Sequence, residues 1–387
     1  MRIVFSLSLI SLFVFTGLTL VIPILPLYAK SFGAKATMIG LVVAAFPISR
    51  IIFSLPGGIL LKILKVKRTI LTSLIIIIIG AVNNAFANSY YSLIVGRFIE
   101  GIGSAIYLTT MLTIIGLAAP KDKRGRAMSS YYTIIDIGLV ASPAIGGFIA
   151  EVYGYSYAYF AYALLALTAL VISLFAMKRI DLGSDIEKEK VKISLVEVKK
   201  LLQNKSYLAL CVVGAFVFFS RIGIRGTLIP LYANQNLLMS EIKIGLLLTV
   251  TSLMDLLTAY PFGWLSDKYG RKPILLFSSL ITGITIFLVP IFQTELSLWL
   301  LMALFGSASS VFGALMAWIT DKTPKEMMSV SMGLNRTIIS MGSFLGPLTL
   351  GLVIDLTTYN GFISSYPFLA SSLVIFSSFI LILLTKK

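Results

Sequence analysis

The chain has 387 residues, 58% hydrophobic and only 12% charged, against about 25% charged in an average soluble domain. So little polar surface comes close to ruling out a soluble enzyme or a two-domain binding protein. There is no His, and Cys211 is the single cysteine, which excludes a catalytic imidazole, a His-ligated metal, a disulfide framework and a thiolate zinc site. No cofactor and no metal are expected.

A bilayer core takes roughly 20 consecutive apolar residues per helix. In chain order such runs predict twelve spans, at 4–28, 37–61, 69–87, 91–118, 127–151, 157–177, 206–232, 242–265, 273–292, 297–319, 328–355 and 364–385. They are numbered 1 to 12 throughout. Span 1 is too long for a signal peptide and ends in PILPLY instead of a small-residue cleavage site. The only long polar stretch, 178–205, divides the chain into a six-helix half, 1–177, a linker, and a second half, 206–387. In the linker, Ser194 and Glu197 have capping-box spacing, and Leu195, Val198, Leu201 and Leu202 share one helical face. These features predict a short amphipathic helix lying on the cytoplasmic surface.

Lys and Arg outnumber Asp and Glu by 32 to 16. Placing both termini inside puts 24 basic residues in cytoplasmic segments and three, Lys30, Lys35 and Lys243, outside. The positive-inside rule therefore predicts a multi-pass protein of the cell membrane with both termini cytoplasmic. With acidic residues included, the net charge is +15 inside, +2 within the bilayer and −1 outside. The basic excess is thus a topology signal and gives no support to a nucleic-acid partner.

The two halves repeat at an offset of 204 or 205. PLYA at Pro26–Ala29 recurs at Pro230–Ala233, and Ile39-Gly40 as Ile244-Gly245. Gly138 answers Gly342, Pro143 answers Pro347, and Glu151 answers Asp355. The last two lie at outer helix ends and are expected to be solvated. Twelve spans in two similar halves are the mark of a secondary transporter, and an even number of spans per half makes the repeats parallel.

Four motifs carry a resemblance. Gly263–Lys272 reads GWLSDKYGRK, in which Gly263, Asp267, Gly270, Arg271 and Lys272 fit the pattern G-x-x-x-D-K-x-G-R-K. Gly270 suits a tight turn, and Asp267 suits the positive N-terminal end of a neighbouring helix. Span 4 carries Arg97, Gly101 and Ala105 in RFIEGIGSA. Span 5 reads GLVASPAIGG, with Gly138, Pro143, Gly146 and Gly147 in place and Ser142 before the proline. Span 1 reads GLTLVIPILP. On these residues the chain resembles the major facilitator superfamily, and most closely its twelve-helix drug:proton antiporters. The resemblance implies an all-α membrane fold in two pseudo-symmetric halves, with spans 3, 6, 9 and 12 facing lipid. It also implies that spans 5 and 8 meet, as do spans 2 and 11, and that the 263–272 loop is a gate latch. The first-half loop, GILLKILKVKR at Gly58–Arg68, departs from the pattern, with Lys62 in the Asp place and Lys65 in the Gly place.

Ionisable groups inside a bilayer are costly and mark function. Arg50, Arg97, Glu100, Asp136, Arg221, Arg225, Asp255 and Arg336 fall within spans, and none falls in spans 3, 6, 9 or 12. Proton coupling needs a group that binds and releases a proton as its surroundings change. Without His that group is Asp136, Glu100 or Asp255, with Arg97 as a charge partner. Arg50, Arg221, Arg225, Arg336, Ser104 and Tyr107 are the candidate cavity residues. Gly138, Gly146 and Gly147 are expected to bring span 5 against span 8. The leading expectation is a monomeric, proton-coupled exporter of amphiphilic, drug-like small molecules. The alternatives are an importer of a small anion, with Arg221 and Arg225 as the clamp, and a non-transporting receptor or sensor.

Overall fold

An apolar run in lipid must satisfy its backbone amides and carbonyls within itself, which leaves the helix as its form. The computed structural model describes residues 2–118, 124–176, 195–324 and 327–385. Among them, eleven helices are long and apolar enough to cross a bilayer, and a pair bent by 44°, Phe5–Leu20 with Leu25–Ser31, completes twelve as span 1. The bend falls at Pro23 and Pro26, where a backbone donor is missing and the ring crowds the preceding turn. Span 4 is Tyr90–Ala118, span 5 Arg124–Tyr153 and span 6 Tyr155–Ala176. Span 8 is Glu241–Tyr269, span 9 Arg271–Leu288, span 11 Met328–Thr357 and span 12 Tyr366–Leu384.

Four features depart from the sequence expectation. Spans 2 and 3 form one continuous helical run, Ala36–Ala85, where a loop was expected at 62–68. The run is folded back on itself, because the Thr69 hydroxyl reaches the Leu60 carbonyl at 3.5 Å; nine residues of straight helix would separate them by about 13 Å. Span 7 is Lys205–Gly223 and Ile229–Gln235 joined by a π-helical turn, Ile224–Leu228. Span 10 is Glu295–Ala308 and Phe312–Asp321 joined by a 3₁₀ turn, Ser309–Val311. The linker helix, Leu195–Gln203, does not merely lie at a membrane surface. Leu201 is buried in a cluster with Tyr207, Leu210, Trp318 and Ile382, so the helix is docked on the second half. Ser194, its expected cap, lies outside the described residues.

Within the first half, span 1 packs on spans 5 and 6, and span 4 on the 2–3 hairpin; within the second, span 7 packs on spans 11 and 12, and span 8 on span 10. Two seams join the halves, span 5 with span 8 and span 11 with span 2. Glycine makes both possible. A Cβ on Gly147 would strike the Glu241 carbonyl, and one on Gly245 the Pro143 carbonyl. At the other seam, a Cβ on Gly40 would strike the Pro347 carbonyl, and one on Gly351 the Ala36 carbonyl. Gly138 and Gly146 are different. Their added Cβ atoms would meet Thr16 and the Leu20 carbonyl of span 1, so they pack span 5 inside its own half and not against span 8.

Hydrogen bonds between the halves gather at the same end as these glycines. Ala144 N–H donates to Thr249 Oγ1 at 3.0 Å, and the Tyr155 hydroxyl to Glu241 Oε1 at 2.6 Å. Lys30 Nζ donates to Asn234 Oδ1 at 3.1 Å. Lys30 and Asn234 are repeat equivalents, so their contact marks the pseudo-twofold axis. Glu151 and Asp355 are exposed, as expected, but each also bonds backbone N–H groups of the opposite half. This end of the bundle, at loops 32–35 and 236–240, is the closed end. Beyond Thr249, span 8 bonds within its own half, through Asp255 to Arg221 and through Thr258 to the Ser307 carbonyl.

Candidate binding cavity and its charged residues

The eight charged residues inside the spans separate by access. Arg97 and Glu100 are enclosed in the first half, 5% and 0% exposed. A spacing of three puts them side by side on one helix face. Arg97 Nη1 donates to Glu100 Oε2 at 2.5 Å, and Asn84 Nδ2 donates to Oε1 at 2.7 Å. The Arg97 guanidinium also lies over the Phe46 ring, 4.6 Å from its centre. Both carboxylate oxygens therefore have a donor, and the cation has a π-face. Ser104 and Tyr107 are buried on the same span. The Tyr107 hydroxyl is bonded to Ser11 at 2.7 Å, and Ser11 to Tyr131 at 3.0 Å. In this state all four side chains are buried; Glu100 ties span 4 to span 3 through Asn84, and Tyr107 ties it to span 1 through Ser11, which also holds Tyr131 of span 5.

The other six, Arg50, Asp136, Arg221, Arg225, Asp255 and Arg336, are only partly buried. Arg221 Nη2 donates to both Asp255 oxygens, at 2.6 and 2.7 Å, and to the Ser309 carbonyl at 3.0 Å. Arg225 Nη1 reaches Asp255 Oδ2 at 3.5 Å, and its Nη2 reaches Ser309 Oγ at 3.2 Å. Its guanidinium lies 5.4 Å from the centre of the Phe305 ring. Local backbone explains the convergence. Arg225 sits in the π turn of span 7, and Ser309 opens the 3₁₀ turn of span 10. Such turns interrupt regular helical pairing and recur at functional sites. One carboxylate thus holds two guanidinium groups, and the pair expected to clamp an anion is engaged by Asp255.

Asp136 belongs to the opposite half, on span 5, and interacts electrostatically with Asp255 and Arg221. Its like charge opposes Asp255, while the arginine offsets it. Arg50 and Arg336 interact across the other seam as like charges. Arg50 packs on Phe46 with its guanidinium 5.7 Å from the ring centre. Among the described residues no carboxylate lies within ion-pair distance of Arg50.

The 263–272 motif lies away from the closed end. Gly270 has φ +95°, which joins spans 8 and 9 in a conformation that L side chains rarely adopt. Asp267, which the sequence suits to a helix N-terminus, pairs among the described residues with Arg271, which also donates to Ser266 Oγ at 2.7 Å and approaches Asp321 at 3.8 Å. Lys272 Nζ donates to the Leu383 and Thr385 carbonyls at 2.7 and 2.9 Å, a cation at the C-terminal end of span 12. All these partners are in the second half. Gly263 has open space where a side chain would stand, so no close packing requires a glycine there.

Sequence reasoning missed Asn84, Phe46 and Ser309. A search for charge passes over the first two, whereas the run GSASS at 306–310 was a visible sign of an irregular helix.

The profile of the Major Facilitator Superfamily matches residues 7–237 and again 210–387. Quinolone resistance protein NorA of Staphylococcus aureus strain COL is 26% identical over 345 residues, 88% of this chain and 87% of that protein. An uncharacterized MFS-type transporter of Methanocaldococcus jannaschii is 25% identical over 342 residues, 88% of each chain. Among solved structures, the nucleoside transporter NupG superposes over 100% of both chains with a TM-score of 0.79 at 15% identity. A bacterial homologue of the human lysosomal transporter Spinster, in an inward-facing and unoccupied conformation, gives a TM-score of 0.78 at 14% identity over 99% of this chain and 95% of that one. At such identities the structural likeness establishes the fold alone.

Proposed function

Because the chain belongs to the Major Facilitator Superfamily, a family of transporters, we propose that it exports amphiphilic, drug-like small molecules in exchange for protons. The halves rock about a cavity between them, opening it to each side in turn. The positive-inside count puts both termini in the cytoplasm. The closed end then faces outward, and the cavity opens inward.

One observation carries the coupling. Asp136, on the first half, is partly buried and senses Asp255 and Arg221 on the second. Rocking changes that separation, and with it the relative stability of the charged and protonated carboxylate. Asp136 is therefore the proton carrier. Arg221, Arg225 and Asp255 form the charged wall it reads, and Glu100, enclosed and doubly bonded, has a structural role beside Arg97. The quinolone resistance relatives and the antiporter-like span 5 support export of drug-like compounds.

The test uses proteoliposomes with an imposed pH gradient and a fluorescent lipophilic cation. Asp136→Asn is expected to abolish gradient-driven transport while leaving the folded protein intact by size-exclusion chromatography. Undiminished coupled transport would remove Asp136 from the mechanism. A second reading, transport of an organic anion, is favoured by Arg50, which has no carboxylate within reach among the described residues. The same vesicles decide it, since gradient-driven uptake of a labelled organic anion that is lost in Arg50→Gln would replace the drug-export reading.

A further inference from the structure

A bundle that rocks needs contacts that hold one end shut and then come apart. We propose that Glu151 and Asp355 are paired clasps of the closed end, each capping the first turn of a span in the opposite half and releasing it when that end opens. Glu151 Oε2 accepts the Ile242 N–H at 2.8 Å, where span 8 begins. Asp355 Oδ1 accepts the Ala36 N–H at 2.7 Å, and its Oδ2 accepts the Thr37 N–H at 2.8 Å and the Thr37 hydroxyl at 2.6 Å, where span 2 begins. The first N–H groups of a helix have no partner within it, and a negative charge there is stabilised by the helix dipole.

Three observations make these contacts more than chance surface bonds. First, both cross between halves, and they are equivalent by the internal repeat: Glu151 answers Asp355 at an offset of 204, and Thr37 answers Ile242 at 205. Second, each carboxylate lies four residues beyond a seam glycine, Gly147 or Gly351, and so on the same helix face one turn on. Clasp and close contact must therefore form and break together. Third, span 2 has no cap of its own, since the side chain of Lys35, its N-cap residue, makes no capping bond. Span 8 has Ser240, whose side chain accepts from Lys243 N–H. Asp355 is therefore the stronger clasp.

The inference rests on the rocking motion proposed above, but its test reads shape and needs no substrate. In a Cys211→Ser background, spin labels go on Phe86→Cys, between spans 3 and 4, and Leu296→Cys, at the start of span 10. Both positions are at the closed end and exposed, 72% and 70%. Their separation is measured by electron–electron resonance in lipid nanodiscs. Loss of a capping side chain is expected to raise the ratio of long to short distances about fivefold for Asp355→Ala. Glu151→Ala should give less and the double variant more. Asp355→Asn, which keeps an acceptor, should fall between parent and alanine and shows that the site still folds. Glu295→Gln is the control, because Glu295 lies at the same end but pairs with Lys243 of its own half at 2.8 Å; it should leave the distances unchanged. Parent-like distances in Asp355→Ala and in the double variant, or an equal shift in Glu295→Gln, would overturn the clasps. A shifted Asp355→Ala in a protein that transports no lipophilic cation would retain them and refute the export reading alone.

Discussion

Arg97 and Glu100 show how a charge in a membrane helix can be structural. Each is enclosed, and the carboxylate has one donor on each oxygen. Such a pair adds little net stability over well-packed apolar residues, but removing one partner strands the other charge at a cost of about 3–5 kcal/mol. Glu100→Leu should therefore lower the apparent melting temperature sharply in detergent. Adding Arg97→Met should restore most of it, because no charge is then left without a counterion. A double variant no more stable than the single would show that the loss comes from misfit of the substituted side chain and not from the stranded cation. The spacing of three made this pair legible in the sequence. Its enclosure was not, because burial depends on Asn84 and Phe46, which arrive from other spans and carry no charge to mark them.

At the scale of elements, the glycines of span 5 divide by what they touch. Gly147 faces span 8 of the other half, while Gly138 faces Thr16 and Leu12 of span 1 in its own half. Substitution should separate the two roles. Gly245→Val, opposite Gly147, overpacks only the closed seam, at a cost of about 2 kcal/mol. It should leave insertion and folding intact and slow transport at least tenfold, measured as initial rate in proteoliposomes. Gly138→Val overpacks a contact inside one half and should instead lower the yield of monodisperse protein. Equal effects on yield would refute the distinction. The bounds of the spans were readable because apolar length is fixed by the bilayer. The π turn at 224–228 was not, because it keeps the same hydrophobic composition and changes only which carbonyl each amide finds; at 309–311 the run GSASS marked an irregular helix but not its 3₁₀ pairing. Pairing across the seams was accessible only through family resemblance, since periodicity says which face of a span is small but not which span meets it. Even then Gly138 and Gly146 pack on span 1 where span 8 was expected, and the pairing of Asp267 with Arg271 was not foreseen.

At the scale of the whole molecule, the closed end is an asymmetry that the pseudo-twofold repeat does not itself require. The repeat makes the two seams alike, and the Lys30–Asn234 contact places the axis between them, yet neither says which side of the membrane the closed end faces. The charge count does. Only Lys30, Lys35 and Lys243 lie in the closed-end loops and their flanks, against 24 basic residues in the linker, the termini and the opposite loops. A leaflet preference of this size sets orientation, so the closed end should face outward. In a Cys211→Ser background, Leu238→Cys, 84% exposed at the closed end, should react with a membrane-impermeant maleimide in intact cells. Lys268→Cys, in the last turn of span 8 at the opposite end, should react only after permeabilisation. The reverse pattern would place the closed end in the cytoplasm and turn the resting state into an outward-open one. The sign of the proposed transport cycle would then invert, with the clasps at Glu151 and Asp355 guarding the inner face.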